Sequence, residues 1–347
     1  MNAHVPLISL VFPVWNEEEN LPPLYEQVTE ALRQAEVSYE LVFVDNGSQD
    51  GSLAIIQGWA AADPTVRYCS LARNFGHQGG ILAGLEMSRG AAVITMDADC
   101  QHPPALLPQM IAAWRHGADV VFTTKKNYQT SWWRRWQVRA FYWLMSRLSG
   151  LKLSFGQSDF RLLDRRVVEV ILRMPEYRKF IRGLVQWMGF RQTGLEYTVV
   201  ERHAGASKFS YRSLFSFAAD GILAFSFLPL RWSLWMGLSV ALVCVGYAAY
   251  IAVLGALKLY FGFGELPVPP GWATITAAIL FLASIQLIAI GVLSEYVGRV
   301  FEQTKGRPIF VVRESSDMQK GAYRVDHDGD SVRREGKTAT AAHGRVS

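Results

Sequence analysis

The stretch Val93-Ile94-Thr95-Met96-Asp97-Ala98-Asp99-Cys100-Gln101-His102-Pro103-Pro104 decides the fold. The uncharged run Ala91 to Met96 reads as a buried strand, and it delivers Asp97 and Asp99 into a turn that Pro103 and Pro104 direct away from the sheet. In open parallel sheets ligands bind in the crevice beyond the carboxyl ends of the strands. Carboxylates two residues apart at that place suit a shared divalent cation, and such a cation grips a diphosphate. A lone Asp-x-Asp more often caps the next turn or helix, so the flanking sequence has to choose between the two roles.

Upstream, strand and helix signals alternate. Pro6 to Val14 alternates and is rich in β-branched residues, and it runs into the acidic stretch Glu17-Glu18-Glu19, which suits the start of a helix over Leu24 to Ala35. Glu40 to Val44 is a second buried strand, ending in the turn Asp45-Asn46-Gly47-Ser48 before a helix over Leu53 to Ala61. Val66 to Leu71, the loop Arg73 to Gly80 and a helix over Ile81 to Ser88 repeat the pattern, and Asp119 to Thr124 adds a further strand. This order predicts an α/β domain with a doubly wound, mostly parallel sheet. Acidic residues stand at three successive strand ends, Glu17, Asp45 and the Asp97/Asp99 pair, and three in register form a site where one alone would be bland. No Gly-x-Gly-x-x-Gly opens a helix and no Gly-x-x-x-x-Gly-Lys-Ser/Thr occurs, which argues against dinucleotide dehydrogenases and P-loop enzymes.

The second half of the chain changes character. Apolar residues make up 50% of the 347, and Trp232 to Leu257 and Gly271 to Ser294 carry no charge. Each run is roughly 24 to 26 residues, enough to cross about 30 Å of hydrocarbon as a helix. Arg231, Arg299, Lys305 and Arg307 flank the ends shared with the globular part, against Lys258 in the short connection Lys258 to Pro270, so both termini are expected in the cytoplasm. No secretory signal precedes the domain, since the apolar run Val5 to Val14 contains Pro13 and leads into acidic residues. Between Ser131 and Met145 four tryptophans mix with arginines at helical spacing, as in a helix lying among lipid headgroups, and Phe209 to Leu230 repeats this before the first span. The net charge of +5 is modest and the basic residues cluster beside these aromatics, which points to a lipid bilayer and away from nucleic acid. Cys69, Cys100 and Cys244 are too far apart for a disulfide framework or a zinc site. The polar segment from Glu314 to Ser347 is expected to be disordered.

Five motifs, in order, carry a resemblance. Pro13-x-x-Asn16-Glu17-Glu18, Val44-Asp45-Asn46-Gly47-Ser48-x-Asp50, Arg73-Asn74-Phe75-Gly76-His77, Asp97-Ala98-Asp99-x-Gln101-x-Pro103-Pro104 and Ser158-Asp159-Phe160-Arg161, followed by Arg202-x-x-Gly205-x-Ser207-Lys208 and two spans, resemble the polyprenyl-phosphate glycosyltransferases. The resemblance covers roughly residues 6 to 312. It implies a GT-A type fold with a nucleotide-sugar-binding half at 1–125, an acceptor-binding half with interfacial amphipathic helices at 126–230, two transmembrane helices within 231–300 and a C-terminal segment at 301–347. It further implies that Asp45 reads the nucleotide base beside Glu17, that Pro13, Val14, Asn16, Asn46, Arg73, Asp97 and Ala98 line the nucleotide-sugar pocket, and that Asp97, Asp99 and Gln101 hold Mg²⁺ or Mn²⁺. Asp159 would sit where the acceptor attacks, and Arg202, Ser207, Lys208 and Arg135 would hold the phosphate of polyprenyl phosphate. Asn46 stands where a second aspartate is commoner, and Cys100 where an aliphatic residue is usual. The family also implies inversion at the anomeric carbon, the cytoplasmic membrane as location and a homotetramer.

The sugar stays open. UDP-glucose is the first expectation, with GDP-mannose, UDP-N-acetylhexosamine and UDP-aminoarabinose behind it. Of other classes, a processive polysaccharide synthase would carry more spans and a Gln-x-x-Arg-Trp motif that is absent, and a non-enzymatic membrane scaffold would need none of the polar strand ends. Asp159 also has a bland reading as an ion-pair partner of Arg161 or Arg165, and His77 and His102 read as satisfied structural histidines.

Arg202 and Lys208 precede the first span closely enough to meet a lipid phosphate at the membrane surface. A charged hydrogen bond of roughly 1.5 to 3 kcal/mol to that phosphate predicts that Arg202→Ala raises the apparent KM for polyprenyl phosphate at least about tenfold, with donor affinity and membrane association unchanged. Steady-state kinetics with vesicle flotation checks this, and rescue by anionic lipid alone would reduce Arg202 to a membrane anchor.

Overall fold

A computed structural model describes residues 6–125, 157–177, 179–198, 228–261 and 271–317. The aromatic and arginine-rich stretch Ser131 to Met145, the amphipathic stretch from Phe209 up to residue 227, and the acceptor candidates Arg135, Arg202, Ser207 and Lys208 lie outside the described residues.

Strands β1 (Ile8–Val14), β2 (Tyr39–Asp45), β3 (Val66–Leu71) and β4 (Ala92–Thr95) follow the expected apolar runs, separated by helices α1 (Leu21–Gln34), α2 (Ser52–Ala62) and α3 (Gly76–Met87). After β4 come α4 (Leu107–Arg115), β5 (Val120–Lys125), β6 (Gln157–Asp164), α5 (Arg165–Arg173), α6 (Ile181–Trp187) and β7 (Gln192–Tyr197). Two long helices, α7 (Leu228–Phe261) and α8 (Gly271–Thr304), pack on one another and lead to a last strand, β8 (Val312–Ser315).

The eight strands form one sheet in the order β7-β5-β6-β4-β1-β2-β3-β8. Pairs β1–β2, β1–β4, β2–β3 and β5–β7 are parallel, whereas β6 runs antiparallel to both of its neighbours and β8 antiparallel to β3. Alternation along the strands sorts the core into two layers. Leu10 and Phe12 of β1 join Leu24 and Val28 of α1 and Met110 of α4 on one face, while Val11 joins Ile81 and Leu85 of α3 and Val168 of α5 on the other. The sheet is therefore doubly wound, as its strand and helix order predicts.

Helix limits differ from the apolar periodicity for local reasons. α1 begins three residues earlier than Leu24 because its prolines fit the first turn, where no amide partner is required. α3 begins at Gly76, five residues before Ile81, although glycine is a poor helix former. Packing overrides propensity there: a Cβ on Gly79 would stand 2.9 Å from the Phe75 Cβ, and one on Gly80 would stand 3.1 Å from the Pro13 Cβ.

The segment from Glu314 departs from expectation more strongly. Glu314 and Ser315 pair with β3 at the sheet edge and Asp317 is buried, so the expected disorder does not hold for 314–317, and residues 318–347 lie outside the described residues. The cause is ionic. Arg67 Nη1 donates to Glu40 at 2.7 Å, the same guanidinium pairs with Asp317, and Arg89 Nη2 reaches Asp317 at 3.1 Å. A polar tail is thus anchored by charges that a hydropathy reading cannot see.

Both long helices contain windows apolar enough to cross a membrane, Leu230–Tyr247 and Phe281–Thr304, and their large side chains Leu242, Tyr260, Leu287 and Ile288 face outward. The end of α8 is tied to the globular part: Gln303 accepts from the Tyr177 amide at 2.7 Å and donates to the Pro175 carbonyl.

α3 lies so close to β1 that a Cβ on Gly84 would stand 2.1 Å from Val11 Cγ1. Alanine adds about 1 kcal/mol of helix propensity, but overpacking costs about 3 kcal/mol at the upper end, so Gly84→Ala is expected to lose about 2 kcal/mol net. Thermal unfolding in detergent should show a lowered Tm, and an unchanged or raised Tm would refute this close-packing account.

Candidate active site

The turns after β1, β2 and β4 follow the carboxyl ends of neighbouring parallel strands, where an open sheet forms its crevice, and β6 stands beside β4. Because β6 is antiparallel to β4 with Thr95 opposite Arg161, two residues onward from Thr95 and two back from Arg161 bring Asp97 level with Asp159. The Thr95 hydroxyl donates to the Asp159 carbonyl at 2.5 Å and fixes that register. Two acidic motifs far apart in sequence meet through this strand pairing.

Asp159 is 8% exposed and heavily paired. Arg182, from α6, forks onto it with Nε at 2.8 Å and Nη2 at 2.7 Å, Arg161 Nη2 lies at 3.4 Å, and His77 Nε2 lies at 3.4 Å. Burial by itself would push the Asp159 carboxyl up, but the Arg182 charge and the hydrogen bonds from His77 and Arg182 outweigh it and hold the carboxyl well below the usual carboxylate range. Asp159 is thus an ionised, oriented carboxylate. The sequence expectation of an ion pair with Arg161 is met weakly, whereas Arg165 turns away to the Gly90 carbonyl at 2.8 Å. Arg182 escaped the sequence reading, although it is the one charge in an otherwise uncharged helix, Ile181–Trp187.

His77 is satisfied, as expected, but by partners from both acidic motifs. Its Nε2 stands 3.5 Å from Asp97 and 3.4 Å from Asp159, bridging the two motifs. Burial works to lower its pKa, but the Asp159 hydrogen bond and the Asp97 and Asp159 charges prevail and push it up to about 9. The imidazolium bridge is therefore complete at neutral pH and is lost as pH rises through that value.

His102 does fulfil the structural reading. It is 2% exposed, stacks on Phe160 at 5.1 Å, and its Nδ1 accepts from the Asp97 amide at 3.3 Å. That leaves the proton on Nε2, which donates to Ser158 Oγ at 2.7 Å. Burial keeps this imidazole below its ordinary pKa, so a neutral ring positions the Asp97 backbone.

Asp97, Ala98, Asp99 and Gln101 form one turn, in which the Gln101 amide donates to Asp99 Oδ1 at 3.2 Å and Cys100 takes a positive φ of 58°. Among the described residues no three His, Cys, Asp or Glu side chains converge on one point. Two carboxylates and the Gln101 amide are hard oxygen donors on an open face, which fits Mg²⁺ or Mn²⁺ sharing its coordination shell with a diphosphate and water.

On the other side of the crevice, Asp45 is fully buried: Oδ1 accepts from the Ser48 amide at 3.0 Å and Oδ2 from Ser70 Oγ at 2.8 Å. The carboxylate implied to read a base braces its own turn, since both of its oxygens are engaged by the protein. Asn46 accepts from the Phe75 amide at 2.9 Å and donates to the Gly76 carbonyl at 3.0 Å, a double role that an aspartate could not fill. Pro13 and Val14 end β1, Asn16 takes a positive φ of 53°, and Glu17 accepts from Asn20 Nδ2 at 2.6 Å. Arg73 is exposed and its guanidinium lies 4.2 Å from the Phe75 ring centroid.

This arrangement is that of a glycosyltransferase, with acidic strand ends gathered at one crevice of a doubly wound sheet and two long apolar helices behind it. The chain belongs to glycosyl transferase family 2, which matches residues 9–172, while residues 228–300 match the GtrB C-terminal hairpin. It is 39% identical over 309 residues to the SfII prophage-derived bactoprenol glucosyl transferase of Shigella flexneri, covering 89% of this chain and 98% of that one. It is 36% identical over 308 residues to an uncharacterised glycosyltransferase of Synechocystis, covering 88% and 95%. Among solved structures, a mannosyltransferase of Pyrobaculum calidifontis in complex with GDP-mannose and Mn²⁺ shares 17% identity at a TM-score of 0.43, covering 85% of this chain and 88% of that one.

Removing one partner of a buried ion pair costs about 3 to 5 kcal/mol, and with His77 and Arg161 remaining Arg182→Met is expected near the lower end, about 3 kcal/mol. The pair's contribution is present above about pH 4 and is lost in more acid solution, as pH falls through the depressed Asp159 value. Denaturation of Arg182→Met, Asp159→Asn and the double variant across pH checks this. The double variant should recover part of the loss, and strictly additive losses would show that the two side chains are not coupled.

Proposed function

We propose that this protein transfers one hexose from a nucleotide-sugar donor, UDP-glucose first among the candidates, to the phosphate of a polyprenyl lipid, with inversion and with a divalent metal. The observation that carries the reading is the junction of Asp97 and Asp159 through His77 at 3.5 and 3.4 Å, beside the Arg182 fork. On this reading it would bring a donor-side carboxylate and an acceptor-side cation together. The Shigella flexneri relative, named as a bactoprenol glucosyl transferase, supports the lipid acceptor and the glucosyl donor.

The donor's diphosphate would lie along Asp97, Asp99 and Gln101. These three residues would hold a divalent metal, whose chemistry when bound would be charge neutralisation of a departing nucleoside diphosphate. The nucleoside end would rest over the turns after β1 and β2, where Asn16, Asn46 and the Asp45-braced turn shape the wall beside Pro13, Val14 and Glu17, with Arg73 at the rim. A lipid phosphate is already ionised at neutral pH, so the attack needs no strong base. Asp159, locked in its charged form, orients Arg182 and His77 instead, and these cations draw the acceptor's oxygen toward the sugar while Arg202, Ser207, Lys208 and Arg135 retain its outer face. Displacement from the side opposite the leaving diphosphate inverts the anomeric carbon.

On this reading the two apolar helices would hold this chemistry at a bilayer, with the catalytic part and both termini in the cytoplasm, and a tetramer would multiply the anchoring of each head. A donor panel with purified protein and undecaprenyl phosphate should yield a single-sugar lipid with one donor, identified by mass spectrometry. Asp99→Asn should lower turnover at least about a hundredfold with an unchanged Tm. A growing polymer would favour a processive synthase, and full activity of Asp99→Asn would remove the metal turn from the mechanism.

A further inference from the structure

The hydrogen bonds along the carboxyl end of the sheet start from a residue outside the crevice. In the antiparallel pairing of β8 with β3, Leu71 faces Val312 and Ser70 faces Glu314, which leaves Arg313 as an extra, bulged residue. A bulge re-aims a side chain. Arg313 Nη2 donates to Ser70 Oγ at 2.9 Å, and that hydroxyl donates to Asp45 Oδ2 at 2.8 Å. Asp45 Oδ1 accepts from the Ser48 amide at 3.0 Å, Ser48 Oγ accepts from the Asn16 amide at 3.0 Å, and Asn16 Oδ1 accepts from the Gln49 amide at 2.8 Å. One chain of hydrogen bonds therefore crosses the ends of β3, β2 and β1. Ser70 and Asp45 in its middle are fully buried, and Arg313 enters from the exposed edge.

We propose that Arg313 is a positioning residue of the donor site. With its lone pair engaged by Arg313, the Ser70 hydroxyl has its hydrogen directed at Asp45, and the guanidinium brings a positive charge within one hydroxyl of a buried carboxylate. Asp45 then holds Ser48 and, through it, the strained Asn16 backbone at the wall of the crevice. Because β8 follows α8 directly in the chain, the segment after the second long helix is a working part of the nucleoside diphosphate site. This inference rests on the donor crevice assigned under the proposed function.

The test uses the full-length protein in detergent, with UDP and GDP titrated calorimetrically in the presence of Mg²⁺ and with steady-state kinetics for both substrates. Loss of one charged hydrogen bond, felt indirectly, predicts that Arg313→Ala weakens nucleoside diphosphate binding and raises the donor KM about five- to tenfold, while kcat and the acceptor KM stay within about twofold. Arg313→Lys should recover most of the affinity, since the contact uses a single donor atom. Ser70→Ala should weaken binding similarly, and the double variant should lose no more than the worse single variant, as members of one chain do. A residue that merely pins β8 would give a lowered Tm with nucleotide affinity retained, or additive losses in the double variant, and either result overturns the inference. Wild-type protein that binds neither nucleotide overturns the functional reading itself. Wild-type binding with undiminished affinity in Arg313→Ala overturns this inference alone.

Discussion

A carboxylate at 8% exposure is the constraint on which the site depends. Without partners Asp159 would protonate or unfold its surroundings, because an ion of that size loses several kcal/mol of hydration on burial. The protein meets that demand with Arg161 from the same strand, Arg182 from α6 and His77 from the distant α3, so all three must be in place before the carboxylate can ionise. The same cations are the ones proposed to meet the acceptor phosphate, so on that reading a substitution here alters both stability and acceptor binding.

The sheet order explains why those elements converge. A purely parallel sheet would end every neighbouring strand on the same side, with each acidic turn following its own strand. By running antiparallel beside β4, β6 places the start of its strand, Gln157 to Asp159, against the end of β4. The Asp159 motif therefore meets the Asp97 turn directly through strand pairing. β8 does the same at the opposite edge, where it returns from α8 past the ends of β3.

Much of this was legible in the sequence where burial on both faces demanded apolar strands, as in β1 to β4, and where carboxylates followed such strands directly. β6 was recognisable as a motif, but not as a strand, because Asp159, Arg161 and Asp164 interrupt the apolar pattern and are tolerated only through partners that sequence spacing does not reveal. Arg182 was missed for the same reason. Asn46 looked like a departure from a commoner aspartate, yet its amide is matched to a loop that needs one acceptor and one donor. β8 was hidden because Arg67, Arg89 and Asp317 replace hydrophobic burial with a buried ionic cluster, and such pairings across 250 residues leave no local signature.

α8 is one continuous helix of 34 residues. At 1.5 Å per residue it measures about 50 Å, some 20 Å more than a hydrocarbon core. The membrane-compatible window Phe281–Thr304 includes Glu295, Arg299 and Glu302, and Gln303 fastens its end to the Pro175 and Tyr177 backbone shortly before α6. In the proposed membrane setting, a helix longer than the hydrocarbon core and fastened at one end would act as a rigid spacer and not as a tether, so that tilt imposed by a thinner or thicker bilayer would be felt at the backbone just before the helix that carries Arg182.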